Sequence, residues 1–277
     1  MRTLRYYTKS PEVKALCEML YKLGYDVKIS DSFSLEVDAA VKQFQKNHSL
    51  VVDGIAGPKT WQKLYELSPE IISQNDKLLS ESDLLEFARN FGLELAVVKA
   101  VNEVESGGKG FLMNGKPVIL FEGHVFFREL EKRGVNPRQY MHANNGDVLY
   151  ERWTRNYYLG GVREYDRLQK AMQISGSDIF RQAALSSASW GSFQIMGYHA
   201  ESIGYRDVDD FVDRMYLHER EHLDAFGRFL KSNRLISLLA SKQWARFAEK
   251  YNGPGYKQNK YDTKLEKAYQ KYKGLTY

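Results

Sequence analysis

Apolar residues recur at helical spacing along nearly the whole chain, and the period lapses in one place, between Ser68-Pro69 and about Ser80, where Ser, Pro, Asn and Asp are interspersed. Periodic apolar stripes predict helices that bury one face. A stretch without period, rich in turn formers, predicts a linker. The chain is therefore expected to be mainly α and in two unequal parts: a small module at residues 1–68, a linker at 69–80, and a larger domain at 81–277. A length of 277 residues suits that division, since domains typically hold roughly 100 to 200 residues.

The small module reads as three short helices. Ser10-Pro11 supplies a cap and a proline at the first helical position, Val13, Leu16, Cys17 and Leu20 form one stripe, and Gly24 ends it. Val37, Ala40, Val41 and Phe44 form a second stripe; a third helix opens at Gly57-Pro58 and carries Trp61, Leu64 and Tyr65. Asp53-Gly54 marks the turn between them. The stretches SPEVKALCEMLYKLGY (10–25) and AVKQFQKNHSLVVDGIAGPKTWQKL (40–64) resemble the three-helix peptidoglycan-binding repeat found at the ends of many wall hydrolases. The resemblance implies wall binding by the module. On the residues alone, Asp53, Gly54, Gly57 and Pro58 need only build a turn and a helix start.

In the larger domain one hairpin is expected around Asn114-Gly115, a strong turn signal flanked by Phe111-Leu112-Met113 and Val118-Ile119-Leu120-Phe121. Before it, residues 93–105 read as one helix whose core stripe is Leu93, Ala96, Val97, Ala100, Val101 and Val104. Glu103 follows Lys99 by four and is expected to pair with it on a solvated face. Glu105 falls four after Val101 and seven after Val98, at the edge of the stripe, and Gly107-Gly108 breaks the helix. Partial burial and the negative end of the helix dipole both disfavour a charged carboxylate there. Such a group suits general acid catalysis, as cleavage of a glycosidic bond requires. The plainer alternative is a solvated helix-terminal glutamate.

Three elements occur in order: NEVESGGKGF (102–111), SASWGSFQIMG (187–197) and KYNGPGY (250–256). Their Glu105-Ser106, Gly191-x-x-Gln194-x-Met196 and Tyr251-Asn252-x-Gly elements resemble those of soluble lytic transglycosylases and goose-type lysozymes. With GKPVILFEGHVFF (115–127), residues 81–277 resemble more closely the N-acetylmuramidase domain of phage endolysins, which carry the same small binding module. The resemblance implies a lysozyme-like α+β catalytic domain that cuts peptidoglycan between N-acetylmuramic acid and N-acetylglucosamine. By the same resemblance Glu105 is the acid, Ser106, Gln194 and Asn252 lie at the bound sugar, and Trp190 and Tyr251 line the groove. Core packing is the alternative for both aromatics. Glu122 ends the hairpin's second strand, where a second carboxylate could guide water; a structural glutamate bonded to loop amides is the alternative. Without that second carboxylate, the related transglycosylase route would close an anhydro ring.

A rival pattern of another class is His218-Glu219-Arg220-Glu221-His222, which fits H-E-x-x-H of zinc peptidases on a stretch read as one helix over 210–230. The extended metzincin form fails, since Ala225 and Arg228 stand at the glycine and last histidine positions. No metal and no cofactor is expected. The single cysteine, Cys17, sits on a core stripe and implies a buried thiol. The N-terminus lacks a signal-peptide core and no run is long enough to span a membrane, so the expectation is cytoplasmic synthesis, no stable membrane insertion, and action on the wall after membrane permeabilisation. The net charge of +5 favours polyanionic partners, but no basic arm or nucleic-acid motif accompanies it. Peptidoglycan is the expected partner, with the chain acting as a monomer and without nucleic acid.

Overall fold

The computed structural model describes residues 3–67, 77–106, 110–112, 114–253 and 255–274, with the side chain of Tyr65 left aside. Met113, the Gly107-Gly108 break, the Tyr65 contribution to its stripe and residues 68–76 of the boundary and linker lie outside the described residues. The chain divides into two compact units, Met1–Asp76 and Lys77–Tyr277.

In the first unit α1 (Pro11–Lys22), α2 (Leu35–Asn47) and α3 (Pro58–Leu67) enclose a core of Leu16, Cys17, Val41, Phe44, Trp61 and Leu64. Ser34 caps α2 by accepting the amide hydrogen of Val37. The Asp53-Gly54 turn is organised by Gln45, which is 1% exposed. Its Oε1 accepts from the amides of Asp53 (3.1 Å) and Gly54 (3.0 Å), and its Nε2 donates to Asp53 Oδ1 (2.8 Å) and Ile55 O (3.0 Å). Gly54 has φ +73°, and a Cβ there would lie 2.3 Å from Asp38 Oδ1, so only glycine fits. The DGIAGPKTW element is thus a folding device that seats Trp61 in the core.

The second unit starts inside the stretch expected to be linker. Glu219 N donates to Lys77 O (2.7 Å), Lys77 Nζ to Tyr216 O (2.9 Å) and Leu79 N to Glu219 Oε2 (3.0 Å), which fastens residues 77–79 to the domain. Ser80 and Asp83 then form a capping box at the start of α4 (Glu81–Phe91). The expected helix over 93–105 divides into α5 (Leu95–Val101) and a π-helical turn, Asn102–Ser106. Ser106 Oγ donates to Asn102 O at 2.5 Å and competes for the carbonyl that an α-helical turn would use. Lys99, 8% exposed, pairs with Glu81 rather than Glu103.

The sheet differs from the expected hairpin. Asn114-Gly115 does turn, held by Leu112 N to Lys116 O (2.7 Å), Gly115 having φ +74°. Yet β1 (Ile119–Phe121) pairs antiparallel with β2 (Ala188–Trp190), which pairs with β3 (Ile195–Met196), giving the order β1-β2-β3. Between β1 and β2 lie α6 (Gly123–Lys132), α7 (Arg163–Gln173) and α8 (Asp178–Ser186). The expected helix over 210–230 is two, α9 (Val208–Met215) and α10 (Glu219–Ser232), because His218 is extended (φ −163°) and caps α10 through Nδ1, which accepts from Arg220 N at 2.8 Å. Then follow α11 (Ile236–Ala240), α12 (Trp244–Asn252), α13 (Tyr256–Asn259) and α14 (Tyr261–Lys273), with α14 packed along α5 and α12. Val97, Ala100, Phe121, Phe126, Phe226, Phe247 and Leu265 share one core. Among the described residues no helix is long and apolar enough to cross a membrane.

Candidate active site

α5 is apolar almost all round and is buried in consequence, with Val97, Val98, Ala100 and Val101 all at or below 3% exposure. It therefore delivers the π turn, and Glu105 with it, to the edge of the core. Glu105 is half-buried, and Asn252 Nδ2 donates to its Oε1 at 3.2 Å. Burial pushes the Glu105 carboxyl up to about pH 7, against the lowering effects of the Asn252 hydrogen bond and the Lys264 ammonium. Among the described residues, Lys264 is the charged group that acts on it. Glu103, two residues earlier, is exposed and pairs with Lys271 (2.6 Å), so the chain presents one solvated and one desolvated acid at the same turn.

Asn252 is the last residue of α12, and Tyr251 beside it is fixed on several sides. Its hydroxyl donates to Phe193 O (3.0 Å), its ring stacks on Phe247 at 5.4 Å between centroids, and Phe226 and Phe229 meet it edge-on. Burial, and secondarily the Glu105 charge, hold the Tyr251 hydroxyl well above the usual phenol range. Tyr261, at the start of α14, is raised for the same two reasons, burial first. Tyr261 and Lys264 were not anticipated from sequence: they belong to no motif, and their one-turn spacing at a helix start was the available signal.

The other expected site residues take different places. Ser106 is buried, its hydroxyl spent on Asn102 O, so it shapes the turn. Trp190 is 1% exposed and donates Nε1–H to Leu185 O (3.1 Å); it packs in the core and offers no face to a sugar, so the packing alternative holds for it. Gln194 is exposed with φ +51°, yet its Nε2 donates to Gly191 O (2.8 Å) and Val118 O (3.2 Å) while Oε1 accepts from Ser189 Oγ (2.8 Å). It sets the β2–β3 turn. Gly191 in that turn has φ +70°, and a Cβ would lie 2.7 Å from the His222 ring.

Glu122 precedes α6 and accepts Tyr158 Oη–H at both oxygens (2.8 and 2.7 Å), with His124 Nδ1 3.4 Å from Oε2. Burial raises its carboxyl, opposed by Tyr158 and Arg167. The zinc pattern is likewise used otherwise. His222 is 1% exposed; its Nε2 lies 2.7 Å from Met215 O and its Nδ1 accepts from Ser192 N (3.2 Å), leaving neither nitrogen for a metal. Glu219 accepts from Gly110 N (2.9 Å) and Leu79 N, and His218 is a helix cap.

With this geometry in view, residues 94–273 match the family described as N-acetylmuramidase. The chain belongs to the N-acetylmuramidase family. Residues 9–64 match a peptidoglycan binding domain, so the family's domain follows a wall-binding one, as the sequence motifs led us to expect. The crystal structure of Burkholderia AP3 phage endolysin is 41% identical, covers 99% of this chain and 100% of that chain, and superposes with a TM-score of 0.67. The N-acetylmuramoyl-L-alanine amidase CwlM of Mycobacterium tuberculosis is 29% identical over 112 residues, 39% of this chain. The matched stretch spans only 27% of that amidase's length.

Proposed function

We propose that this muramidase is an endolysin-type glycosidase that cuts the peptidoglycan backbone between N-acetylmuramic acid and N-acetylglucosamine, with Glu105 as general acid. The observation that carries the reading is the Glu105 carboxyl itself: desolvated, raised to about 7, and oriented by Asn252. A carboxyl still protonated near neutral pH can hand its proton to the leaving sugar oxygen as the bond breaks. Asn252 occupies Oε1, so Oε2 delivers the proton. The first unit holds the enzyme on the insoluble wall and raises its effective concentration there. The chain works on the cell wall as a monomer and needs no cofactor.

One observation favours a second reading of the product. Glu122, the expected second carboxylate, is engaged by Tyr158 at both oxygens. A site with a single acid suits intramolecular attack by the muramic acid hydroxyl, the transglycosylase outcome. Digesting purified peptidoglycan and identifying the broken bond by mass spectrometry tests the proposal: glycan intact and peptide bonds cut would refute it.

A further inference from the structure

A groove of 790 Å³ lies beside the Glu105 turn, with Glu103 and Val104 on one wall and Lys264, Lys267 and Lys271 on the other. The three lysines fall at i, i+3 and i+7 of α14, on one helix face, with Ala268 buried behind them. Lys271 is bound to Glu103, whose Oε2 also accepts the Tyr272 hydroxyl (2.5 Å). Three lysines against one glutamate leave the lining at +2. Among the described residues, the ammoniums of Lys264 and Lys267 have no ion pair; Lys264 Nζ sits 5.3 Å over the Tyr261 ring. Val104 and Lys264, which acts electrostatically on Glu105, set the groove next to the Glu105 turn, and it carries two cations one helical turn apart.

We propose that this groove binds the free carboxylates of the peptide stem borne by the muramic acid beside the scissile bond, and that Lys267 with Lys264 makes stem charge a determinant of substrate choice. The inference rests on the glycosidase reading for the position of the sugar. Peptidoglycan differs from uncharged N-acetylglucosamine polymers in that its muramic acids carry short peptides with free carboxylates. A stem leaving a sugar seated at Glu105 passes the adjoining wall. Two ammoniums at i and i+3 lie close enough to meet carboxylates on neighbouring stem residues. Both lysines are exposed, so the contacts are moderate in strength and weakened by salt.

The test uses soluble glycan strands with intact stems, whose carboxylates are left free or converted to primary amides. Binding is read as Kd on full-length Glu105→Gln protein, which separates recognition from cleavage. Free-carboxylate strands should bind roughly fivefold more tightly than amidated ones at low ionic strength, the preference vanishing near ~0.5 M salt. Adding Lys267→Glu should abolish the preference, Lys267→Arg should keep it, and Lys231→Glu, the same charge change on α10, should leave it intact. Equal Kd for both strands, or equal weakening of both by Lys267→Glu, would overturn the proposal. Failure of the wild-type protein to cut either strand, with the preference preserved, would instead count against the glycosidase reading alone.

Discussion

Asn252 donates its side-chain N–H to Glu105 across 3.2 Å, joining the last residue of α12 to a π-helical turn 147 positions earlier. The bond fixes one carboxyl oxygen while burial keeps the group protonated to about pH 7. The two effects oppose each other on the pKa: burial favours the neutral carboxyl, and the amide favours the charged one.

Glu105→Gln should remove nearly all lytic activity while raising stability at alkaline pH. General acid catalysis is typically worth about a hundred- to ten-thousand-fold, which is the loss expected in turbidity assays of wall suspensions. For stability the sign follows from the raised carboxyl. Below about pH 4.5 the group is neutral folded and unfolded; as pH rises through about 7 the folded state must hold a desolvated charge and stability falls. The glutamine variant escapes that penalty, so thermal unfolding at pH 8 should show a gain on the order of 1–3 kcal/mol that disappears near pH 4. A folded variant with wild-type lysis would refute the assignment.

The alkaline limb of the activity profile should fall with an apparent pKa near 7, because only the protonated acid works. Asn252→Ala deletes a bond that favours the charged form. The limb should therefore move to higher pH even as the maximum rate drops, and a downward shift would contradict the stated balance. Glu103→Gln, which alters an exposed ion pair, should leave the limb in place.

The residues that were legible in sequence are those whose roles are local. Stripes such as Val13-Leu16-Leu20 and Val37-Val41-Phe44 specify helices without reference to the rest of the chain, and the DGIAGPKTW turn is closed by neighbours within the same module. The raised carboxyl of Glu105 was legible because the residue falls at the edge of an apolar stripe. What escaped depends on distant partners: β1 pairs with β2 across some 70 residues, Lys99 finds Glu81 rather than Glu103, and Tyr261 reaches Glu105 from the final helix. Trp190 shows the converse, since an aromatic in a motif reads the same whether it lines a groove or fills a core.

Excess chelator should leave lysis unchanged. His222→Ala should destabilise the domain by about 2–3 kcal/mol, as Ser192 and Met215 lose a buried partner. His218→Ala should cost about 1 kcal/mol through the lost cap. Loss of activity on chelation, restored by zinc, would contradict the structure's use of both histidines.

Removing residues 1–76 should leave Lys77–Tyr277 folded, because among the described residues its core is built from its own side chains. Sedimentation with intact wall should weaken markedly, while cleavage of soluble oligosaccharides should stay within about twofold, as expected for a tethering effect. Equal loss on both substrates would mean that the first unit contributes to catalysis.

The product reports what Glu122 does. If it activates water, digested wall carries reducing muramic acid ends, and Glu122→Gln costs a large factor in rate with the pH limb unmoved. If its work is to hold Tyr158 and its neighbours, as the hydroxyl shared between its oxygens at 2.8 and 2.7 Å indicates, the same variant costs stability and little else. The products are then lighter by one water and resist borohydride reduction. The engagement of both Glu122 oxygens by Tyr158, with His124 beside them, makes the second result the expected one for Glu122→Gln. A variant of normal stability whose catalysis collapses would show instead that Glu122 meets the substrate, and would assign the water to it.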